Sequence, residues 1–332
     1  MFNLENNKKL NSKYKLLTQI GKGGMSVIYL AIKKDDNSKW AIKVMKSEQL
    51  DKTGITRFKE EIRISNKVNS PYVIKIDDYC FDPGNNEFWI AMEFVDGTIL
   101  KNVIERVGSL TENETVNYAK QIVLGIDAIH KAGIYHRDIK DTNIMVSNLN
   151  EIKIIDLGIA IDEDSERVTK ENNVIGSVHY MAGEIAEYKK KGSPKADIYA
   201  IGIVIYQMLI GNVPFTGDTY IKILAKHRES EIPNIKNMKP NTSNGLINVI
   251  NKCLAKDPNN RYDNMEELYR DLSTCLDPKR MAENELVYKR KVKKGIADFL
   301  ASKAGMITIW TIFGITLLLL IIVIILLYGI GI

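Results

Sequence analysis

Hydrophobic and polar positions along the 332-residue chain change rhythm twice. Up to about residue 95 the rhythm is mostly that of strands. Two β-rich runs from Tyr14 are joined by Gly21, Gly23 and Gly24, and Trp40-Ala41-Ile42-Lys43 alternates. Val73 to Phe81 and Glu87 to Phe94 read as a hairpin turned by Asp82-Pro83-Gly84-Asn85-Asn86. One helix interrupts them, Ile55 to Val68, with Phe58 and Ile62 inward and Ile64 and Val68 as further core candidates. Beyond residue 96 helical spacing dominates. Thr111-Glu112-Asn113-Glu114 forms a capping box, Val116, Ala119, Val123, Ile126 and Ile129 recur on one face, and Gly133 ends the run. A buried strand is expected at Ile152 to Ile155. Further helices are expected over Lys195 to Ile210, Tyr220 to Arg228, Asn244 to Leu254 and Met265 to Leu276. No internal repeat is visible.

The last regime is continuous. Between Met306 and Tyr328 no residue is charged, and 23 helical positions reach roughly 34 Å, enough to cross a bilayer core. Trp310 and Tyr328 lie near its ends, where interfacial aromatics belong. Composition sharpens this picture through the placement of charge. The formal net charge is +5, and Lys279 to Lys303 carries eight Lys or Arg against Glu283, Glu285 and Asp298, which is the whole excess. A nucleic-acid protein would spread basic residues over a folded face, so no nucleic acid is expected. Basic residues crowded against an apolar run point to membrane lipid as the anionic partner. The positive-inside rule then places the preceding domain in the cytoplasm, with only Gly329 to Ile332 emerging outside. Met1 to Lys13 is polar, with no stretch suited to a signal peptide. Cys80, Cys253 and Cys275 are scattered, without zinc-ligand spacing or a disulfide framework, and read as core residues in a reducing compartment.

Candidate chemistry concentrates in Tyr135-His136-Arg137-Asp138-Ile139-Lys140-Asp141-Thr142-Asn143. A carboxylate, an ammonium and a side-chain amide share one short loop, an outfit suited to phosphoryl transfer, although so short a polar loop could also be an ordinary turn. The loop matches H-R-D-x-x-x-x-N and resembles that of the protein kinases, and Lys140 is the form usual in the serine/threonine branch. The resemblance runs from about Tyr14 to Leu276, with motifs in the family's order. It implies an α+β, two-lobed protein kinase fold: a β-rich N-lobe with one main helix, and a mainly helical C-lobe.

The resemblance also implies roles. Asp138 would accept or aim the substrate hydroxyl's proton, Lys140 would neutralise the γ-phosphate, and Asn143 and Asp156 would hold Mg²⁺ or Mn²⁺. ATP would lie under the glycine turn Ile20, Gly21, Gly23, Gly24 and Ser26, with Ser26 where the family has a third glycine. Ile28, Ala41, Met92 and Met145 would line the nucleotide pocket, the backbone of Glu93 and Val95 would pair with adenine, and Lys43 of W-A-I-K would hold the α- and β-phosphates. Glu61 would orient Lys43, with Glu60 as the other candidate. Arg137 would grip a phosphate on the segment Asp156 to Glu184, at Thr169 or, failing that, Ser165. Ser177 would reach Asp138 and Lys140, Arg261 would pair with Glu184, and buried Asp197 would anchor the catalytic loop.

Besides Ser26, three positions depart from the family pattern. Leu157 replaces Phe in D-F-G, Gly183 replaces Pro in A-P-E, and Asp141 stands where proline commonly follows the lysine. The last two are expected to loosen their loops.

The whole is similar to the bacterial eukaryotic-type (Hanks-type) membrane serine/threonine protein kinases, without the extracellular sensor repeats of many relatives. The expected organisation is a polar arm at 1–13, N-lobe at 14–95, C-lobe at 96–276, basic juxtamembrane linker at 277–304, transmembrane helix at 305–328 and short extracytoplasmic tail at 329–332. The implied function is ATP-dependent phosphorylation of Ser/Thr in protein substrates, with autophosphorylation of the activation segment. Two rivals are a membrane-tethered pseudokinase scaffold, which the set Lys43, Asp138, Asn143 and Asp156 argues against, and a small-molecule kinase, which the peptide-docking turn discourages. Gly305 and Gly314 leave room for a homodimer through the membrane helix.

Overall fold

Alternating side chains on the early strands build an antiparallel five-stranded sheet. It comprises β1 (Tyr14–Lys22), β2 (Ser26–Lys33), β3 (Lys39–Met45), β4 (Ile76–Asp82) and β5 (Glu87–Glu93), in the order β1-β2-β3-β5-β4. Successive residues of a strand face opposite sides, and both sides of this sheet are covered. Ala41, Ile90 and Met92 join Phe58 and Ile62 of helix α2 (Lys52–Ser65) on one side. On the other, Ile42, Val44, Trp89 and Ala91 join Leu10 and Tyr14. Burial on both sides accounts for the near-continuous apolar run Phe88 to Met92 in β5. The structure is a computed structural model describing residues 7–23, 26–45, 52–156, 178–188, 193–288 and 303–329.

Leu10 belongs to α1 (Lys8–Lys13), a short helix inside the stretch expected to be a polar arm. Buried Glu87 holds its start, accepting from the Leu10 N–H at 2.7 Å, from the Lys9 N–H at 3.3 Å and from the Trp89 indole at 3.1 Å. β4 begins at Ile76 rather than at Val73. The Ile74 N–H donates to the Ile154 carbonyl and the Ile154 N–H to the Tyr72 carbonyl, so these residues pair with a later strand instead of with β5.

Beyond Glu93 come β6 (Gly97–Ile99), α3 (Leu100–Val107) and α4 (Glu112–Lys131), then β7 (Ile144–Ser147) and β8 (Ile152–Ile154), with β6-β7-β8 forming a second sheet. The capping box at Thr111 and Glu114 is present, and all five expected core positions of α4 are buried. Gly133 follows at φ +76, a left-handed exit that suits glycine.

The later helices are α5 (Gly183–Tyr188), α6 (Pro194–Ile210), α7 (Tyr220–Glu229), α8 (Asn244–Cys253), α9 (Met265–Thr274) and α10 (Pro278–Met281). Ser193 caps α6 and Pro194 opens it. Every residue of α6 from Asp197 to Leu209 is buried, which explains why it is apolar all round. Ile122 and Ile126 of α4, Ile201 of α6, Ile250 of α8 and Leu268 of α9 share one core.

The chain divides into two compact units, Met1–Tyr288 and Lys289–Ile332. The expected start of the linker at 277 therefore lies inside the first. There Asn244, Asn248 and Asn251, on one face of α8, hold an extended strap. Asn244 donates to the Glu283 carbonyl at 2.6 Å, Asn248 donates to the Asn284 carbonyl at 3.0 Å and accepts from the Leu286 N–H at 2.8 Å, and Asn251 donates to the Leu286 carbonyl at 3.1 Å. In the second unit α11 (Lys303–Gly329) contains Met306–Leu326, 21 residues of mean hydropathy 3.0 with no part buried. Among the described residues it is the one helix long and apolar enough to cross a membrane. A core helix of a soluble protein would be covered by its neighbours.

Candidate active site

β3 and α2 supply the first pair of polar groups. Lys43 alternates with buried Ile42 and Val44 and so faces α2, where Glu61 receives its ammonium at 2.7 and 2.9 Å. Burial alone would lower the Lys43 pKa, but the carboxylates of Glu61 and then Asp156 outweigh it and hold it above the usual lysine value. Glu60 is spent elsewhere, accepting from Arg63 Nε at 2.7 Å one turn on. The choice between the two acids thus falls to Glu61.

Beside this pair the sheet carries an apolar cluster. Ile28, Val95 and Ile155 pack on the cluster that contains Ala41 and Met92. Gly21 lies opposite Ile28, and Gly23 donates to the Ser26 carbonyl at 2.8 Å, closing the turn between β1 and β2. Gly24 lies outside the described residues. Ile20 is half exposed on β1, and Met145 is on β7 opposite Lys153 and Ile99. The Glu93 N–H is taken by the Lys75 carbonyl at 2.9 Å, so any main-chain pairing of Glu93 with a ligand falls to its carbonyl. Its carboxylate pairs with Lys153 of β8 at 2.7 Å, a tie between the first sheet and the second that sequence reading did not single out.

The loop after α4 is organised from below. Asp197, wholly buried at the start of α6, accepts from the His136 N–H and the Arg137 N–H at 2.9 Å each, and its Oδ2 lies 2.7 Å from His130 Nε2. These bonds hold Arg137 at φ +65, a conformation costly for a side chain other than glycine. Asp138 emerges from this support. Its Oδ2 accepts from Lys140 Nζ at 2.6 Å and from Asn143 Nδ2 at 3.1 Å, and the same amide nitrogen donates to the Asp138 carbonyl at 2.9 Å. With its nitrogen so engaged, Asn143 turns its oxygen away from Asp138. The Asn143 carbonyl accepts from the Ile155 N–H at 3.0 Å, which brings the chain leading to Asp156 alongside the loop. An amide oxygen and a carboxylate on adjacent strands of chain are hard donors that fit a divalent ion such as Mg²⁺.

Arg261 reaches both oxygens of Glu184, at 2.7 and 2.9 Å, and donates to the Ala255 and Lys195 carbonyls. Gly183 does not leave a loose turn. It is buried, and a Cβ there would lie 2.8 Å from Arg228 Cγ, so its lack of a side chain permits close contact with α7. Asp141, likewise expected to loosen its loop, is buried and bonded to Gln207. Leu157, Ser165, Thr169 and Ser177 lie outside the described residues.

A sheet lobe and a helical lobe carrying these polar groups define the protein kinase class. The chain belongs to the protein kinase family, with residues 14–271 matching the protein kinase domain. It is 36% identical over 279 residues to serine/threonine-protein kinase PrkC of Bacillus subtilis (strain 168), covering 83% of this chain and 42% of that protein. It is 35% identical over 280 residues to probable serine/threonine-protein kinase PknB of Lactococcus lactis subsp. lactis (strain IL1403), covering 84% and 44%. With serine/threonine-protein kinase PknB of Mycobacterium tuberculosis (strain ATCC 25177 / H37Ra) it shares 32% identity over 273 residues, covering 79% and 43%. The chain spans less than half the length of these curated relatives.

Proposed function

We propose that the protein is an ATP-dependent serine/threonine protein kinase anchored to a membrane by α11. The observation that carries this reading is the constellation at Asp138, whose carboxylate receives Lys140 and Asn143 within one short loop. Asp138 takes or aims the proton of a Ser or Thr hydroxyl as its oxygen bonds to the γ-phosphorus. The bond from that phosphorus to the β,γ-bridging oxygen breaks, and ADP leaves. Lys140 balances charge on the transferred group, and Lys43, oriented by Glu61, holds the α- and β-phosphates. Asn143 and Asp156 hold Mg²⁺, or Mn²⁺ in its place. When bound, the ion neutralises phosphate charge. Ile28, Ala41 and Met92 enclose the adenine, and the main chain of Glu93 and Val95 reads its edge.

The basic cluster before α11 supports a cytoplasmic kinase domain and contact with anionic lipid. Within this reading, phosphate on Thr169, with Ser165 as the second site, orders the activation segment through Arg137. Phosphosite mapping of active protein, together with Thr169→Ala, tests this; full activity in that variant would overturn it.

The central test incubates the full chain in detergent micelles with labelled ATP, Mg²⁺ and a generic protein substrate, beside Asp138→Asn. Transfer should fall by about 10²–10⁴-fold in the variant. Nucleotide binding without transfer by the unmodified chain would favour the pseudokinase scaffold, which the intact Lys43–Glu61 pair speaks against.

A further inference from the structure

The residue after Lys140 is a buried acid. Asp141 opens the short 3₁₀ turn Asp141–Asn143 and is 6% exposed. Burying a carboxylate is costly unless its oxygens are satisfied. Here Oδ2 accepts from Gln207 Nε2 at 2.8 Å. Gln207, on the last turns of α6 and itself buried, turns its amide oxygen the other way and accepts from the Tyr180 hydroxyl at 2.7 Å. The direction of the chain of bonds is fixed. A carboxylate can only accept, so the Gln207 nitrogen faces Asp141 and its oxygen faces Tyr180. Tyr180 stays a donor, because burial first and the Asp141 charge second hold its phenol well above the ordinary range. It lies near enough to Asp141 to interact with it directly as well as through Gln207.

These three residues belong to separate parts of the chain. Asp141 follows Lys140 in the catalytic loop, and Tyr180 stands four residues before Glu184, in the segment that leads into α5. α6 grips the catalytic loop twice, through Asp197 on the His136 and Arg137 N–H groups and through Gln207 on Asp141.

We propose that Asp141 is a positioning residue which, through Gln207, locks the catalytic loop to the Tyr180 segment and so sets how a protein substrate is presented to Asp138. The idea rests on the kinase reading above. It assigns to Asp141 the rigidity that proline would otherwise supply, by a buried hydrogen bond in place of a ring. Asp141 touches no reacting atom, and its effect passes through the main chain to Lys140.

The bridge can be broken and rebuilt by reversing its polarity. Gln207→Glu removes the amide donor and brings a second carboxyl group against Asp141, where like charges repel. Adding Asp141→Asn supplies the missing donor, from the new amide to Glu at 207, while Tyr180 still donates to the other oxygen. In the full chain in detergent micelles, steady-state kinetics with a Ser/Thr protein substrate should show Gln207→Glu raising the protein KM and lowering kcat. A combined loss on the order of tenfold or more in kcat/KM is expected, with the ATP KM unchanged. The double variant should return to within about threefold of the unmodified chain. The proposal is overturned if Gln207→Glu changes the protein-substrate parameters less than twofold, if the double variant is no better than the single one, or if the ATP KM moves in parallel.

Hydrogen exchange supplies a readout independent of activity. Exchange at 141–143 and 178–182 should rise together in Gln207→Glu and fall back in the double variant, and unchanged exchange would also overturn the proposal. An unmodified chain that transfers no phosphate would sink the kinase reading, while the exchange result would still decide the bridge.

Discussion

The two halves of the site are held in different ways. On the sheet side, Lys43 is fixed by one ion pair to Glu61, between side chains that each keep some exposure. On the helical side, Asp138 sits on a loop whose own main chain is bonded to a wholly buried carboxylate, Asp197, and whose next acid is bonded to Gln207. An ion pair between two partly exposed side chains can open without disturbing the core around it. Main-chain bonds to a buried acid cannot open without disturbing the core. The helical half is preorganised, and the sheet half is adjustable.

The largest effect should come from cutting the rigid anchor. Asp197→Ala strands two N–H groups and a histidine, at about 1–3 kcal/mol for each unsatisfied group. Thermal unfolding should show a drop of several degrees or more, with activity lost alongside. Glu61→Gln breaks the adjustable half instead. Activity should fall roughly tenfold or more while the melting temperature moves little, because the pair is not needed to hold the sheet. Equal melting losses in both variants would erase the contrast.

A pair of lysines sharpens the comparison further. Lys43 has carboxylate partners and a raised pKa. Lys256, in the helical lobe, is pushed down to about 7, first by burial and then by Arg261, and has the His227 carbonyl at 2.9 Å and the Phe215 ring at 4.3 Å beside it. Between pH 7 and 10.5 an unfolded chain keeps its proton on Lys256 and the folded chain does not. This group therefore makes stability rise with pH across that window, by at most ~1.4 kcal/mol per pH unit. Its penalty is complete below pH 7. The Lys43 contribution is already full there and is lost only as pH climbs through its raised value. Denaturant titrations of Lys256→Met should lose the rise seen in the parent chain; an identical rise would refute this. Smallest of all, Glu60→Gln should leave activity within about twofold, since Glu60 is bonded to Arg63 on the same helix face and not to Lys43.

Much of this was legible in the residue pattern because local physics wrote it. The capping box at Thr111, the five inward positions of α4 and the apolar α6 all depend on spacing within one element. Glu60 and Glu61 are neighbours in one helix, and only the facing direction of β3 separates them. Leu10 is a single apolar residue among Asn and Lys, so no periodicity announces α1; its burial depends on Trp89 and Glu87, nearly eighty residues away. The bond between Asp141 and Gln207 joins residues 66 apart. The resemblance to the family marked Asp141 only as the absence of a proline, and its partner could be found only in three dimensions.

The asparagine ladder on α8 has a consequence for where the domain ends. The family match stops at residue 271, yet the lobe goes on recognising its own chain as far as Leu286. Four of the ladder's bonds go to peptide groups and so do not depend on the strap's side chains, of which Glu283 pairs with Arg280 and Glu285 with Lys236. A fragment trimmed at the family boundary would strip the strap from Asn248, 4% exposed in the intact chain, and would also remove buried Leu272 and Cys275 from the core. A soluble version of this protein keeps its native edge only if it is cut after the strap.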